Sequence, residues 1–155
     1  MDSLGPDDDG RDFVKPGEKV LDQPTLSEEE RKVFVEALLI GQKSEKVDVF
    51  GHQVLIKTLT VDLELQLAQV AKSWEGTVAQ AKAFKTAAIA AALYEIDGVP
   101  FYIPLSATDQ EEIVQRKFDK LKNYYPAFVD EIYGHLLKLE QSVSEVLEKL
   151  GKSSG

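Results

Sequence analysis

A heptad pattern of apolar residues near the C-terminus constrains the fold more than any other feature of the sequence. Between Val129 and Leu150 the apolar positions lie alternately three and four residues apart, which aligns them along one stripe of an α-helix. Such a helix would run for about 24 residues, or roughly 36 Å. The members of this heptad stripe are Val129, Ile132, Leu136, Leu139, Val143, Val146 and Leu150.

The heptad stripe can face either the protein's own core or another molecule. Neighbouring apolar residues such as Tyr133 and Leu137 widen it beyond two positions in seven, which favours packing inside a globular bundle. The other predicted helices are shorter, so the part beyond about Ser142 would project and would need a partner to cover it. We therefore predict core at the first turns and a partner-binding surface at the last turns. The candidates on that surface are Leu139, Val143, Val146 and Leu150.

The rest of the chain combines helical and extended patterns. Residues 46–59 alternate apolar and polar side chains around Gly51-His52, which predicts a β-hairpin with a type II′ turn. The alanine-rich segment 77–95 predicts a central buried helix, because alanine favours helix and lets a neighbouring backbone come close. Pro126 either kinks a helix or occupies the first position of a new one. The predicted fold is α+β, mostly α: a helical bundle with one small β-hairpin and a long C-terminal helix.

Helix starts and ends are indicated by capping residues. Ser27 with Glu30, and Thr108 with Glu111, have the spacing of a capping box, in which each side chain bonds the other's backbone N–H. Gly151 follows the last member of the heptad stripe and is predicted to end that helix.

Composition divides the chain into three segments. Residues 1–26 are rich in glycine, proline and aspartate and cannot bury enough surface to offset the entropy lost on ordering, so we predict a disordered or extended acidic arm. Residues 27–151 are predicted to form a single, mostly helical domain. Residues 152–155 are predicted to be a flexible tail.

Charge and composition exclude several classes of function. The net charge of −9 disfavours nucleic acid as a partner, because phosphates are repelled and the lysines are scattered. The absence of cysteine removes disulfides, thiolate metal sites and cysteine nucleophiles. The chain has no apolar run near 18 residues, and its first residues are acidic, so neither a membrane helix nor a secretory signal is expected.

No residues have the spacing of a catalytic or metal-binding site. The two histidines are isolated: His52 is interpreted as a solvated turn residue, and His135 could pair with Glu131 four residues before it. A metal site needs three or four ligands, and neither histidine has them. We therefore predict that the protein is not an enzyme and that it uses no metal and no cofactor.

Two adjacent tyrosines precede the long helix and allow two interpretations. Tyr124 and Tyr125, next to Pro126, can form core at a corner between helices. Alternatively they anchor a partner, since tyrosine is enriched at protein interfaces. Both are kept as candidate partner-binding residues.

Several stretches together resemble small proteins encoded among the tail genes of tailed bacteriophages, commonly labelled tail assembly chaperones. The first is VDVFGHQVLIKTLT from Val47, a strand–turn–strand that leads into a helix start. The others are WEGTVAQAKAF from Trp74, IDGVP from Ile96, and Tyr125-Pro126 before a long helix. The resemblance covers roughly residues 33–141.

The resemblance implies a non-enzymatic protein that binds tape measure or tail tube proteins through apolar helix surfaces during assembly. It implies partners among phage tail or other virion proteins, self-association, and a location in the host cytoplasm during assembly or in the virion. A structural component of the virion (tail, connector or capsid) is the alternative. It would use the N-terminal arm and the C-terminal helix for subunit contacts.

Two other classes of function remain open. A small-molecule-binding or catalytic domain would show a polar-lined pocket near His52 or Tyr102. A host-directed regulator would sequester a basic partner through its acidic surface, and its binding would depend strongly on salt.

Overall fold

The computed structural model describes residues 26–35 and 41–154, with side chains as far as residue 150. The described residues divide into two compact units. The main unit is Val33–Ser144, and the terminal unit holds residues 26–32 and 145–154. The predicted acidic arm at 1–26 lies outside the described residues, apart from its last residue.

The described chain is mostly helical, with one small sheet. Its helices are α1 (Glu28–Phe34), α2 (Val61–Lys72), α3 (Gln80–Ala92), α4 (Ala107–Glu111), α5 (Ile113–Leu121) and α6 (Pro126–Ser154). Its strands are β1 (Ser44–Val49), β2 (His52–Lys57), β3 (Leu93–Ile96) and β4 (Val99–Pro100). The predicted mixture of helices, one small sheet and a long C-terminal helix is confirmed.

The sheet extends the predicted hairpin to four antiparallel strands in the order β1-β2-β3-β4. Strand β3 pairs with β2, with Val54 opposite Ile96. The sequence predicts helix as far as residue 95, and this is wrong for the segment after Ala92. Leu93 has φ −85° and ψ 124°, so the helix ends there and the next residues join the sheet. The gain from pairing with β2 outweighs the local preference for helix.

The hairpin turn lies one residue earlier than predicted. Val49 pairs with His52, which leaves Phe50 and Gly51 as the two turn residues. Their φ angles are +49° and +85°. Positive φ at both positions defines a type I′ turn, whose twist matches that of the strands, and not the predicted type II′ turn at Gly51-His52.

This turn gives a first testable prediction. Phe50 is 65% exposed and adopts a left-handed conformation that costs an L-residue about 1 kcal/mol. Because asparagine tolerates this conformation, Phe50→Asn is expected to raise the free energy of unfolding by about 1 kcal/mol in urea titrations. Gly51→Ala is the control and should lower it by a similar amount. A Phe50→Asn variant with a lower free energy of unfolding would show that contacts of the Phe50 ring stabilise the fold more than its left-handed backbone destabilises it.

Capping residues set the helix starts, with one correction. In the capping box at Ser27, the Glu30 N–H donates to Ser27 Oγ at 3.1 Å, and the Ser27 N–H donates to Glu30 Oε1 at 3.1 Å. The predicted box at Thr108 is wrong. Ser106 caps α4 instead, because its extended backbone directs Oγ to accept from the Asp109 N–H at 3.1 Å.

The ends of the long helix were predicted in part. Helix α6 begins at Pro126, so the proline occupies the first helical position and does not kink a helix. The helix continues to Ser154, and the predicted end at Gly151 is wrong. Glycine inside a helix costs only about 1 kcal/mol, so it permits a left-handed cap without enforcing one.

The core of the main unit lies between the sheet and helices α2, α3 and α5, with the first half of α6. Ala87, Ala90 and Ala91 are fully buried, which confirms the alanine-rich helix as central. Leu63, Leu67 and Val70 of α2 face the same core. Four members of the heptad stripe also belong to it: Val129, Ile132, Leu136 and Leu139.

An ion pair in the terminal unit joins chain segments that are far apart in sequence. Lys149 Nζ bonds the Glu30 carboxylate, and this hydrogen bond is the main cause that lowers the pKa of Glu30. Val146 is buried, while Lys149 and Leu150 are half-buried.

Candidate functional site

The six predicted partner-binding residues differ in how far their side chains are exposed. Tyr124 is half-buried, with its ring 5.6 Å from Phe101 and 6.0 Å from Phe128, as the core interpretation requires. Tyr125 is 76% exposed. Leu139 is 3% exposed in the core of the main unit, so its side chain is not available to a partner there.

The remaining three candidates differ in exposure. Val143 is half-buried in the main unit. In the terminal unit Val146 is buried and Leu150 is half-buried. Pro126 and Leu139 lie roughly 20 Å apart along α6 at 1.5 Å per residue, so within the main unit the tyrosines and Leu139 do not form one site. The partner-binding role of these residues stays a prediction.

Each of the two histidines lies near a carboxylate; His52 is exposed and His135 is half-buried. His52 Nδ1 lies 2.7 Å from Asp97 Oδ2, and His135 Nε2 lies 3.8 Å from Glu131 Oε2. The hydrogen bond from His52 lowers the pKa of Asp97, aided by the Gln53 N–H at 2.9 Å. This contact fastens the turn after β3 to the start of β2. Among the described residues, no group of three or more His, Cys, Asp or Glu could hold a metal ion.

The side chain of Tyr102 is held by Asp109. Its hydroxyl donates to Asp109 Oδ2 at 3.2 Å, and Arg116 Nε donates to Oδ1 at 3.2 Å. The Leu105 N–H, also bonded to this carboxylate, is the main cause that lowers the pKa of Asp109. Burial of Tyr102 and its bond to Asp109 raise the pKa of the phenol. The cluster fixes the start of α4.

Lys117 on α5 is a residue that the sequence reasoning missed. It is 5% exposed, and within the described chain no carboxylate pairs with it. Burial, followed by the charge of Lys57, lowers the pKa of Lys117 to about 8. The burial of Lys117 could have been predicted from its position in the sequence. Residue 117 lies four residues from both Ile113 and Leu121, and so on the apolar face of α5.

The main unit has a wide groove over helices α2 and α3. Its volume is about 1130 Å³. Three alanines and two aromatic residues contribute to its apolar lining, and its polar lining residues are Lys72, Glu75, Thr77, Gln80 and Lys85. The apolar lining residues are Leu67, Ala68, Ala71, Val78, Ala81, Phe84 and Tyr133.

The groove continues into a smaller pocket of about 280 Å³ that reaches α6. Leu67, Phe84 and Tyr133 line both cavities, so the two form one continuous surface, here named the α2–α3–α6 groove. Val78 is fully exposed and Phe84 is 47% exposed along it. Small alanines beside exposed large side chains give a surface that an apolar helix can approach closely.

A second, smaller cavity lies on the other side of α3. It has a volume of about 320 Å³ and is lined by Trp74, Phe118 and Tyr124, with Lys82 and Lys122 at its edge. Both lysines have carboxylate partners: Lys82 lies 3.8 Å from Asp130, and Lys122 lies 3.3 Å from Asp119. The α2–α3–α6 groove is therefore the larger site, and it has the more exposed apolar side chains.

Comparison of the chain with protein-family models, with curated proteins and with solved structures finds no match. In the described part of the chain, no helix is both long enough and apolar enough to cross a membrane.

Proposed function

We propose that the protein is a non-enzymatic, chaperone-like tail assembly protein of a tailed bacteriophage. It binds apolar helical segments of tape measure or tail tube proteins. The observation that carries this proposal is the α2–α3–α6 groove, which is lined by three alanines and by the exposed ring of Phe84. An amphipathic helix places apolar side chains at every third or fourth position, and a groove of this kind receives such a stripe.

The resemblance to tail assembly chaperones supports the same surface. The stretch from Trp74 to Phe84 is one of those that carry the resemblance, and it supplies Val78, Ala81 and Phe84 to the groove. In this proposal α2, α3 and α5 form the predicted helical bundle, and its helices α2 and α3 line the groove.

The charge of the chain suits a chaperone-like role. A net charge of −9 keeps a protein soluble while it holds an apolar helix that would otherwise aggregate. We place this activity in the host cytoplasm during assembly. Self-association is part of the proposal, and nucleic acid and membranes are not proposed as partners.

A structural role in the virion is the second candidate. It is favoured by apolar side chains that stay exposed along α6, with Leu137 at 48% and Leu147 at 38%. Subunit contacts through α6 and the arm would keep the protein in the finished particle. Detection of the protein in purified particles would favour this role over a transient chaperone.

The groove is tested with a synthetic 18-residue amphipathic helix labelled with a fluorophore. Phe84→Ser is expected to weaken its binding about tenfold, because burial of the exposed half of a phenylalanine ring contributes about 1–1.5 kcal/mol. Fluorescence anisotropy gives the dissociation constant.

Ile103→Ser is the matched control for this variant. Ile103 is 62% exposed and is absent from the groove lining, so its change should leave the dissociation constant unaltered. Equal affinities for the parent and the Phe84→Ser variant would exclude the groove as the binding surface.

A further inference from the structure

Two carboxylates lie together at the α6 end of the α2–α3–α6 groove. Glu64, from the first turn of α2, and Glu140, from α6, both line the smaller pocket of the groove. Their neighbours in that lining are apolar, among them Leu67, Phe84 and Leu136. The polar end of the groove therefore carries negative charge against an apolar wall.

No cation of the described residues neutralises this pair. The ion pairs of the main unit use other acidic groups, such as Asp109, Asp119 and Asp130, and neither Glu64 nor Glu140 has a lysine or arginine partner in the described chain. Burial raises the pKa of Glu140, and the charge of Glu64 raises it further. Both side chains are exposed, so in the free protein water solvates the pair.

The opposite end of the groove carries both signs, since Glu75 lines it as well as Lys72. Lys72, in the last turn of α2, lies at the edge there, and Lys85 is held by Asp130 at 3.0 Å. A bound helix would thus meet two carboxylates at one end, and a lysine with a glutamate at the other. Complementary charges across an interface fix register and exclude wrong partners more than they add affinity.

We propose that the groove selects an amphipathic helix whose apolar stripe ends in a lysine or arginine, and that this cation binds between Glu64 and Glu140. The inference rests on the proposed function and specifies the chemistry of the partner segment. The cation forms charge-assisted hydrogen bonds with both carboxylates, which are accessible to it because both side chains are exposed.

Two labelled peptides test the inference. Both are 18-residue helices with the same apolar stripe, and one ends the stripe with lysine while the other has glutamine at that position. We expect the parent protein to bind the lysine peptide at least tenfold more tightly. In the double variant Glu64→Gln and Glu140→Gln, this preference should fall below twofold.

The matched control changes the net charge equally at a distance. Glu45 and Glu111 are exposed and are absent from the groove lining, so the variant with both changed to glutamine should keep the tenfold preference. Loss of the preference in this control would assign it to net charge and overturn the inference. The Glu64/Glu140 variant should unfold at the same or a higher temperature than the parent, because the change removes like-charge repulsion.

Failure of the inference differs from failure of the proposed function. If both peptides bind the parent equally and Phe84→Ser weakens both, the groove binds helices but does not select a cation. If neither peptide binds, or if Phe84→Ser changes nothing, the groove is not a helix-binding site and both proposals fall.

Discussion

Leu139→Ala is expected to lower the free energy of unfolding by about 2–5 kcal/mol, the range for a large side chain truncated in a packed core. Leu139 is 3% exposed and belongs to the main hydrophobic cluster. Its truncation removes apolar contacts and leaves a cavity that the surrounding helices fill only in part. Urea unfolding followed by circular dichroism measures the change.

Leu137→Ala is the matched control, since it makes the same chemical change two residues away on the same helix. Leu137 is 48% exposed, so its truncation should cost less than about 1 kcal/mol. The contrast between the two leucines tests on which side of α6 the core lies. Equal effects would contradict the burial of Leu139.

Light scattering on the same variants extends the test to the heptad stripe. If Leu139 only packs in the core, Leu139→Ala changes stability and leaves the solution mass of the folded protein unaltered. A folded Leu139→Ala variant with reduced mass and parental stability would instead place Leu139 in a subunit interface. The first result would assign the first half of the heptad stripe to the protein's own core. Val143, Val146 and Leu150 remain predicted partner contacts.

Elements with a strong local pattern could be predicted from the sequence. The spacing of Leu63, Leu67 and Val70 identifies α2, and the alternation of Val47 and Val49 identifies β1, because one buried face imposes each period. For Pro126 the fixed φ and missing N–H allowed either a kink or a helix start, and the structure has the helix start.

Elements that depend on distant partners could not be predicted in this way. Leu93–Ile96 continue a segment of high helix propensity, and only the edge of β2 makes them a strand. The hairpin turn was misplaced by one residue because Gly51 suits either turn type. Which one forms depends on the register of Val49 with His52.

The candidate site was harder to predict than the fold. The heptad stripe suggested residues on one helix, whereas the α2–α3–α6 groove combines residues from three helices. Ala68, Phe84 and Glu140 are far apart in sequence, and none has a chemistry that marks it alone. Only packing of the helices brings an exposed phenylalanine, small alanines and two carboxylates into one surface.

Lys117 carries the other large expected effect, because a buried ammonium group with no carboxylate partner in the described chain lowers stability. Its Nζ lies 4.4 Å from the centroid of the Tyr94 ring, and Lys57 Nζ lies 4.3 Å from the same ring. Gln42 Nε2 donates to Tyr94 Oη at 3.0 Å, which fixes the ring. The ring face attracts both cations, but it offsets the loss of hydration only in part.

The sign of the pH dependence follows from the pKa of Lys117, which falls from the ordinary 10.5 to about 8 on folding. Between these values the unfolded chain binds more protons than the folded one, so the contribution of Lys117 to stability rises as pH rises from about 8 to 10.5. Below pH 8 the charged group destabilises the fold by up to about 3 kcal/mol, at 1.36 kcal/mol per pKa unit.

Lys117→Met is therefore expected to raise the free energy of unfolding at pH 7 by about 1–3 kcal/mol, after the lost cation–ring attraction is subtracted. Urea titrations from pH 6.5 to 10.5 should show the gain over the parent shrinking above pH 8, because the parent loses its buried charge there. Lys57→Met is the control: it removes the second cause of the shift and should give a smaller gain. A Lys117→Met variant less stable than the parent at pH 7 would mean that the Tyr94 ring stabilises the buried cation more than burial penalises it.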